Sequence, residues 1–346
     1  MCISPRLKLN PKYLPNNKNG GFPPPLLDDR VKYVPIGCGV CYECLKSKSN
    51  QWKVRLYEEV KDETDWSFVT FTFNDNSLNL IREKLSDSFF KELDKNVDIS
   101  TGEVIGKVPD IEKMTDDNAV ATYAIRKFLE RWRKHTKKSV KHFFVTEKGH
   151  NGTHRIHLHG IIKSRDFDFI ERIWQYGWIF PGNEISRKNN YVNSSSINYI
   201  SKYITKVDTV NKDFFGKILC SPGIGKKYTE SFNFEYHRYN EKLTNDHYVN
   251  YRGGKMSLPI YYRNYAYNEN EREKLWIYKI EEQVRFVFGE RIDVSTLEGM
   301  RNYYNALMYY RVKNEELGYI TIKDWEFNKY HDRNIKVNNL EYFDNC

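Results

Sequence analysis

No apolar run in this 346-residue chain approaches the ~18 residues that a membrane-spanning helix needs. The first residues, Met1 to Asn10, lack the apolar stretch of a secretory leader. The chain is therefore expected to stay in the cytosol where it is made, without a membrane partner. Cysteine is scarce at six residues, yet three of the six fall within Cys38 to Cys44. In a reducing compartment such a cluster reads as a metal site, not as disulfides. No internal repeat of 20–50 residues is present, which excludes a solenoid. A phosphate-binding loop is absent too. Gly223-Ile-Gly225-Lys226 lacks the four-residue spacer and the Ser or Thr of the P-loop, so it reads as a turn and no ATPase motor is evident.

What is present narrows the class further. A hydrophobic fraction of 40% supports a real core. Lys and Arg number 55 against 46 Asp and Glu, and the net charge of +9 suits a polyanionic partner. Tyr is heavily used, with 26 residues against 20 Phe and 7 Trp. A Tyr can be core, interface, stacking platform or nucleophile, and composition does not decide among them. The length fits two or three domains.

Residues 1–35 give no period and read as an irregular arm with Pro23, Pro24 and Pro25. A helix is expected from Ser49 to Lys61, with Trp52, Leu56 and Val60 on one face. Ser67 to Phe73 is β-branched and aromatic and reads as a buried strand. Residues 75–117 are polar and read as an insertion. Asn118 to Lys138 is the clearest helix, with Ile125, Phe128, Leu129 and Trp132 as its apolar stripe. Arg131, Arg133, Lys134, Lys137 and Lys138 crowd its other surface and its end, the densest basic patch and the expected DNA-binding segment. Val140–Glu147 and Arg155–Lys163 read as a hairpin joined by the turn 148–154. A short helix over Asp166–Tyr176, stopped by Gly177, a strand over Trp178–Ile185 and a helix over Ser194–Lys206 follow. The connector 215–260 leads to helices over Asn268–Phe288 and Ser295–Val312, the second opened by a capping box at Ser295 and Glu298.

Two patterns carry chemistry. His157 and His159 flank Leu158 on a strand, so both imidazoles share one face and can hold one divalent ion. Five of the nine His lie between His142 and His159. A hard ion that binds phosphate calls for an oxygen as third ligand, and Glu147 is the candidate. Register decides its reach. A two-residue turn at Asn151-Gly152 turns Glu147 to the wrong face, whereas an odd loop centred on Gly152 pairs it with His157. The second pattern is Tyr199-x-x-Lys202-Tyr203-x-x-Lys206. Tyr199 and Tyr203 are one helical turn apart, and the two lysines lie near the same face. Neighbouring cations favour phenolate. A Tyr phenolate can attack a DNA phosphodiester and form a covalent phosphotyrosine while a metal polarises the phosphoryl oxygen. A second Tyr permits a second cleavage while the first end stays attached.

The spacing Cys38-x-x-Cys41-x-x-Cys44 suits thiolates converging on a structural zinc, which needs a fourth ligand. Cys2, if the arm folds back, Cys220 and Cys346 are the alternatives.

Together these residues resemble the replication initiators of microviruses, small single-stranded DNA phages, particularly the gokushovirus-like branch of the HUH endonuclease superfamily. The matching segments are Cys38 to Cys44, Trp52 and Arg55, Phe68 to Phe73, Glu147 and Gly149, Arg155-Ile-His157-Leu-His159, Trp174-Gln-Tyr-Gly177, the Tyr199 to Lys206 helix and Pro222-Gly-Ile-Gly225. The His pair precedes the Tyr helix, as in replication initiators; relaxases carry Tyr first. One departure is Arg155-Ile156, where the family often has Arg-Pro.

The resemblance implies an α+β fold: an HUH endonuclease core of antiparallel sheet and flanking helices, like an RNA-recognition or ferredoxin-like fold. Residues 63–210 would form that core, with 75–117 inserted. Residues 1–62 would be an arm with the cysteine cluster and a helix, and 211–346 a connector and mainly helical C-terminal region. The implied activity uses Mg²⁺ or Mn²⁺ to nick one strand at the phage origin. The protein would stay on the 5′ phosphate, free a 3′-OH primer, and later cut and recircularise the displaced strand. Tyr199, Tyr203, Lys202 and Lys206 would be the catalytic set. Implied partners are single-stranded and origin DNA with a host helicase and polymerase, in the cytoplasm of a bacterial host, as a non-virion protein. Two other readings fit the same composition: a non-catalytic, zinc-containing nucleic-acid-binding protein, and an HUH transposase.

Overall fold

The computed structural model describes residues 2–96, 110–149, 154–208, 210–211, 214–250 and 252–320. In chain order its regular elements begin with β1 (Arg6–Leu9), β2 (Tyr33–Ile36), α1 (Tyr42–Val60), β3 (Ser67–Phe71), α2 (Asp75–Asn96), α3 (Ile111–Thr115) and α4 (Asp117–Thr136). There follow β4 (His142–Lys148), β5 (Ile156–Ile162), α5 (Phe167–Trp174), β6 (Ile179–Phe180), α6 (Glu184–Lys188), α7 (Ser194–Thr205) and β7 (Ile218–Cys220). The last are α8 (Phe232–Glu235), β8 (His247–Val249), β9 (Lys255–Ser257), α9 (Ile260–Ala266), α10 (Glu269–Glu281), β10 (Val284–Val287), β11 (Glu290–Asp293) and α11 (Leu297–Glu316). No helix among the described residues is long and apolar enough to cross a membrane.

The chain divides into two compact units: one from Met1–Lys48, His237–Asp246 and Tyr261–Cys346, the other from Ser49–Tyr236 and His247–Ile260. The second unit is built on a wholly antiparallel five-stranded sheet of order β6-β3-β5-β4-β7. Alternation along each strand serves both faces. Val69, Phe71, Phe144, Leu158 and Ile162 point to one face, where α4 lays Ile125, Phe128 and Trp132 and α5 lays Ile170 and Trp174. Phe71 and Trp174 stack at 4.3 Å, a geometry worth about 0.5–1.5 kcal/mol beyond the area buried. On the other face, Phe143, Val145 and Ile161 meet Leu56 and Val60 of α1 and Ile197, Ile200 and Ile204 of α7.

The expected insertion is partly core: α2 sends Leu78 and Ile81 into the first cluster, and residues 97–109 lie outside the described residues. The expected strand over Trp178–Ile185 shortens to β6, and Asn183 caps α6 immediately afterwards. Helix α5 stops at Gln175, which takes the left-handed conformation two residues before Gly177.

The first unit departs most from expectation. The arm is not wholly irregular, because β1 and β2 pair as antiparallel strands with Arg6 opposite Ile36. The helix expected to Phe288 ends at Glu281. Gln283 has a positive φ, and β10 then pairs with β11 around Gly289. Helix α11 is capped by Thr296, whose Oγ1 accepts from Gly299 N at 3.0 Å, and not by Ser295; Glu298 is thus one position too early for a capping box. Its Leu307 joins Ile3, Val287 and Ile292 around the cysteines.

Candidate nucleotidyl-transfer site and cysteine cluster

The register of the β4–β5 hairpin decides the site. Glu147 lies opposite His157 and Val145 opposite His159, so Glu147 and both His share a face. This is the odd register. Gly149 N still bonds Arg155 O at 2.9 Å, and residues 150–153 of the turn lie outside the described residues. Gly149 is required at this point, because a Cβ there would come within 2.9 Å of the His157 ring.

Helix α7 faces this surface. Asn193 caps it, accepting from Ser195 N at 2.9 Å and Ser196 N at 3.0 Å, while Ser196 Oγ accepts from Asn193 N. Its apolar stripe is buried on the sheet, which leaves Tyr199 and Tyr203 beside the histidines. The Tyr203 ring stacks on His159 at 4.2 Å and 3°. Tyr203 donates to the Tyr199 hydroxyl at 2.6 Å. Tyr199 is 47% exposed and meets Phe68 edge-on.

The charges are closely matched. Glu147 Oε2 lies 2.8 Å from His159 Nε2, and Glu147 Oε1 takes the Lys206 ammonium. Burial alone would raise the Glu147 carboxyl, but these two partners outweigh it and hold it below the usual range. Burial and the neighbouring His159 push the His157 imidazole down, so it favours the neutral, ligand-competent form. The expected depression of the tyrosines is not found at Tyr203. Burial, then its hydrogen bond to Tyr199 and the Glu147 charge, push that phenol up. Lys206 is spent on Glu147, so its charge is already answered. Lys202 is exposed, beside Lys53 of α1, whose ammonium is pulled down by burial and by the Lys202 charge.

Two imidazoles and a carboxylate on one half-open face fit a divalent ion with positions left for substrate. Thr70 completes the arrangement with its Oγ1 2.9 Å from His159 Nδ1, a second contact that orients the ring and leaves Nε2 for a ligand role. Sequence reasoning missed Thr70 and Lys53. The signal for Thr70 was its alternation with Val69 and Phe71, which sets it on the face opposite the buried residues.

The basic helix is not part of this site. Helix α4 packs on the other sheet face, and Arg131 is committed to the end of α5. It donates to Ile173 O at 2.9 Å and Trp174 O at 3.2 Å and lies over the Tyr176 ring. Arg133, Lys134, Lys137 and Lys138 are exposed there, away from the His pair.

In the first unit, Cys2 closes the cluster. The ligand atoms of Cys2, Cys38, Cys41 and Cys44 lie within 4.8 Å of one another. Cys38 and Cys44 sulfurs are 3.8 Å apart, and Cys41 and Cys2 are 3.9 Å apart. Four sulfurs at ~2.3 Å from one tetrahedral ion would be about 3.8 Å apart. Backbone N–H groups of Cys38 and Cys41 point at the sulfurs of Cys2 and Cys38, each at 3.2 Å, and offset thiolate charge. The cluster can therefore bind a structural metal such as zinc. Cys220 lies in β7 of the other unit, and Cys346 is outside the described residues.

Residues 113–208 match a family model for the replication-associated protein ORF2. The match covers a little over a quarter of the chain and supports a replication-initiator role. It spans Glu147, both histidines, both tyrosines and both lysines, and leaves out the cysteine cluster. No curated protein and no solved structure matches.

Proposed function

We propose that the chain is a rolling-circle replication initiator of the HUH type, similar to those of microviruses, that nicks one DNA strand through a tyrosine. The carrying observation is the convergence of Tyr203, Tyr199, His159 and Glu147 on one sheet face. His157, His159 and Glu147 would hold Mg²⁺ or Mn²⁺. Such an ion, when bound, withdraws charge from a phosphoryl oxygen.

The chain's own residues do the rest. Tyr199 is the more reachable phenol and attacks first; Tyr203, donating to its oxygen, stabilises the phenolate. The Tyr oxygen forms a bond to phosphorus, the P–O3′ bond breaks, and O3′ leaves and is protonated to the primer hydroxyl. The 5′ phosphate stays on the Tyr. Lys202 with Lys53 offers positive charge to the DNA backbone. Lys206 steadies Glu147. Tyr203 remains for the second cleavage, which releases and recircularises the displaced strand. Duplex unwinding falls to a host helicase and synthesis to a host polymerase, in the bacterial cytoplasm, with the protein absent from the virion. The cysteine cluster holds zinc and builds structure, apart from the chemistry.

The test incubates the full chain with Mn²⁺ and labelled single strands tiled across its own replicon. An SDS-resistant protein–DNA adduct is expected for one strand. Binding without an adduct on any strand would overturn the nicking reading in favour of a non-catalytic nucleic-acid-binding protein.

A further inference from the structure

The sheet face that carries the histidines continues past them to the edge strand. Thr70 lies opposite His159 on one side and opposite Phe180 on the other. Residues directly opposite share a face, so Val145, His159, Thr70 and Phe180 form one row across the sheet. One step along, Trp178 is fastened to Thr72. Its carbonyl accepts from Thr72 N at 2.9 Å and Oγ1 at 3.0 Å, and its N–H donates to Thr72 Oγ1 at 2.9 Å. Trp178 is two residues from Phe180 and so shares its face. Gly177 lets this backbone in, since a Cβ there would lie 2.4 Å from Thr72 O. The backbone is thus pinned while the rings are bare: Trp178 is 73% exposed and Phe180 56%.

We propose that Trp178 and Phe180 are a stacking shelf for unpaired nucleobases beside the scissile phosphate. The proposal rests on the nicking reading for its place in the reaction, and names the residues that hold the substrate's bases. Continuity with the site argues for a single strand as occupant. The shelf is two strand spacings, about 10 Å, from the His pair. Tyr199 is exposed on the same face, and Lys202 and Lys53 lie beside it to meet backbone phosphates. The two shelf residues are about 6.8 Å apart along the strand. That is too far to share one base, so each takes its own. Stacking on aromatic rings is sequence-tolerant, because every base has a π face.

The experiment measures binding of a fluorescein-labelled single strand to the full chain at fixed salt. Trp178→Ala is expected to weaken binding roughly 5- to 100-fold, Phe180→Ala less, and Trp178→Phe to restore most of the loss. All three should melt as the wild type does, since the rings are exposed. Abasic sites placed along the strand should weaken wild-type binding at two neighbouring positions and leave Trp178→Ala indifferent there. The double variant Tyr199→Phe/Tyr203→Phe should keep shelf binding, so loss of the adduct and loss of the shelf are read separately. Wild-type affinity in Trp178→Ala, or no abasic effect, overturns the shelf. Self-association that vanishes in Trp178→Ala would assign the face to a contact between copies and overturn it equally.

Discussion

The chain gathers metal-ligand residues twice, in two different ways. Around Cys2, Cys38, Cys41 and Cys44, four like ligands are packed under Ile3, Val287, Ile292 and Leu307, with little room for a further group. On the β4–β5 face, three unlike ligands lie under two tyrosines, half-open, with Glu147 already shared between His159 and Lys206. A closed set of four sulfurs stores folding free energy; an open set of mixed donors leaves positions for substrate. The contrast shows that ligand count alone does not mark a reactive centre. What surrounds the ligands does.

The largest expected effect breaks this contrast outright. Tyr199→Phe/Tyr203→Phe should lose the DNA adduct completely, with Tyr199→Phe the more damaging single change, while zinc content measured by mass spectrometry stays at one per chain. An adduct in the double variant would mean another nucleophile and would strip the open face of its role. Next in size, stripping metal with a chelator, or Cys41→Ser, should remove hydrogen-exchange protection from β1, β2, β10 and β11. The five-stranded sheet should keep its protection. Equal loss in both units would show that the cluster does not act locally.

A subtler comparison uses the contact that orients His159. Thr70→Val should weaken Mn²⁺ binding, followed by electron paramagnetic resonance, by about 10- to 100-fold, without changing zinc content. No change would mean that Thr70 is a bystander. The smallest effect separates the two regions by acid. Thiolates must lose metal as they are protonated, so the cysteine unit should open first. In the sheet unit, burial would raise Glu63, but Lys227, Lys163 and Trp66 bring its carboxyl down to about 2. A depressed carboxylate stabilises fully above its unfolded value of ~4.3 and loses that contribution as pH falls toward the folded value. The sheet should therefore hold until pH falls below ~4.3, and Glu63→Gln should flatten that limb in acid melts.

Much of the sheet unit was legible because its signals are local. Alternation set Ile156 and Leu158 inward and His157 and His159 outward, the stripe on α4 found its core, and Asn193 announced α7. The Tyr pair and its approach to the histidines followed from those periods. Even the register of Glu147 reduced to one odd turn. Partner choice was not legible. Lys206 could reach Tyr203 or Glu147, and only the fold shows that the carboxylate takes it. Arg131 looked like a free cation until the end of α5 claimed it. In the cysteine unit the signals are distant. Arg6 pairs with Ile36 across an aperiodic stretch rich in Pro and Asn, and Val284 continues an apparent helix until Gln283 turns the chain.

The makeup of the cysteine unit has a consequence in time. Its apolar cover, Val287, Ile292 and Leu307, is synthesised long after Ile3 and the four thiols. A nascent chain must therefore carry its earliest segment uncovered while the whole sheet is being made. Closing so long a loop costs entropy before any contact repays it. The four sulfurs, however, all fall within residues 2–44. An ion captured at the ribosome would shape that segment early and keep it ready for a cover that arrives last.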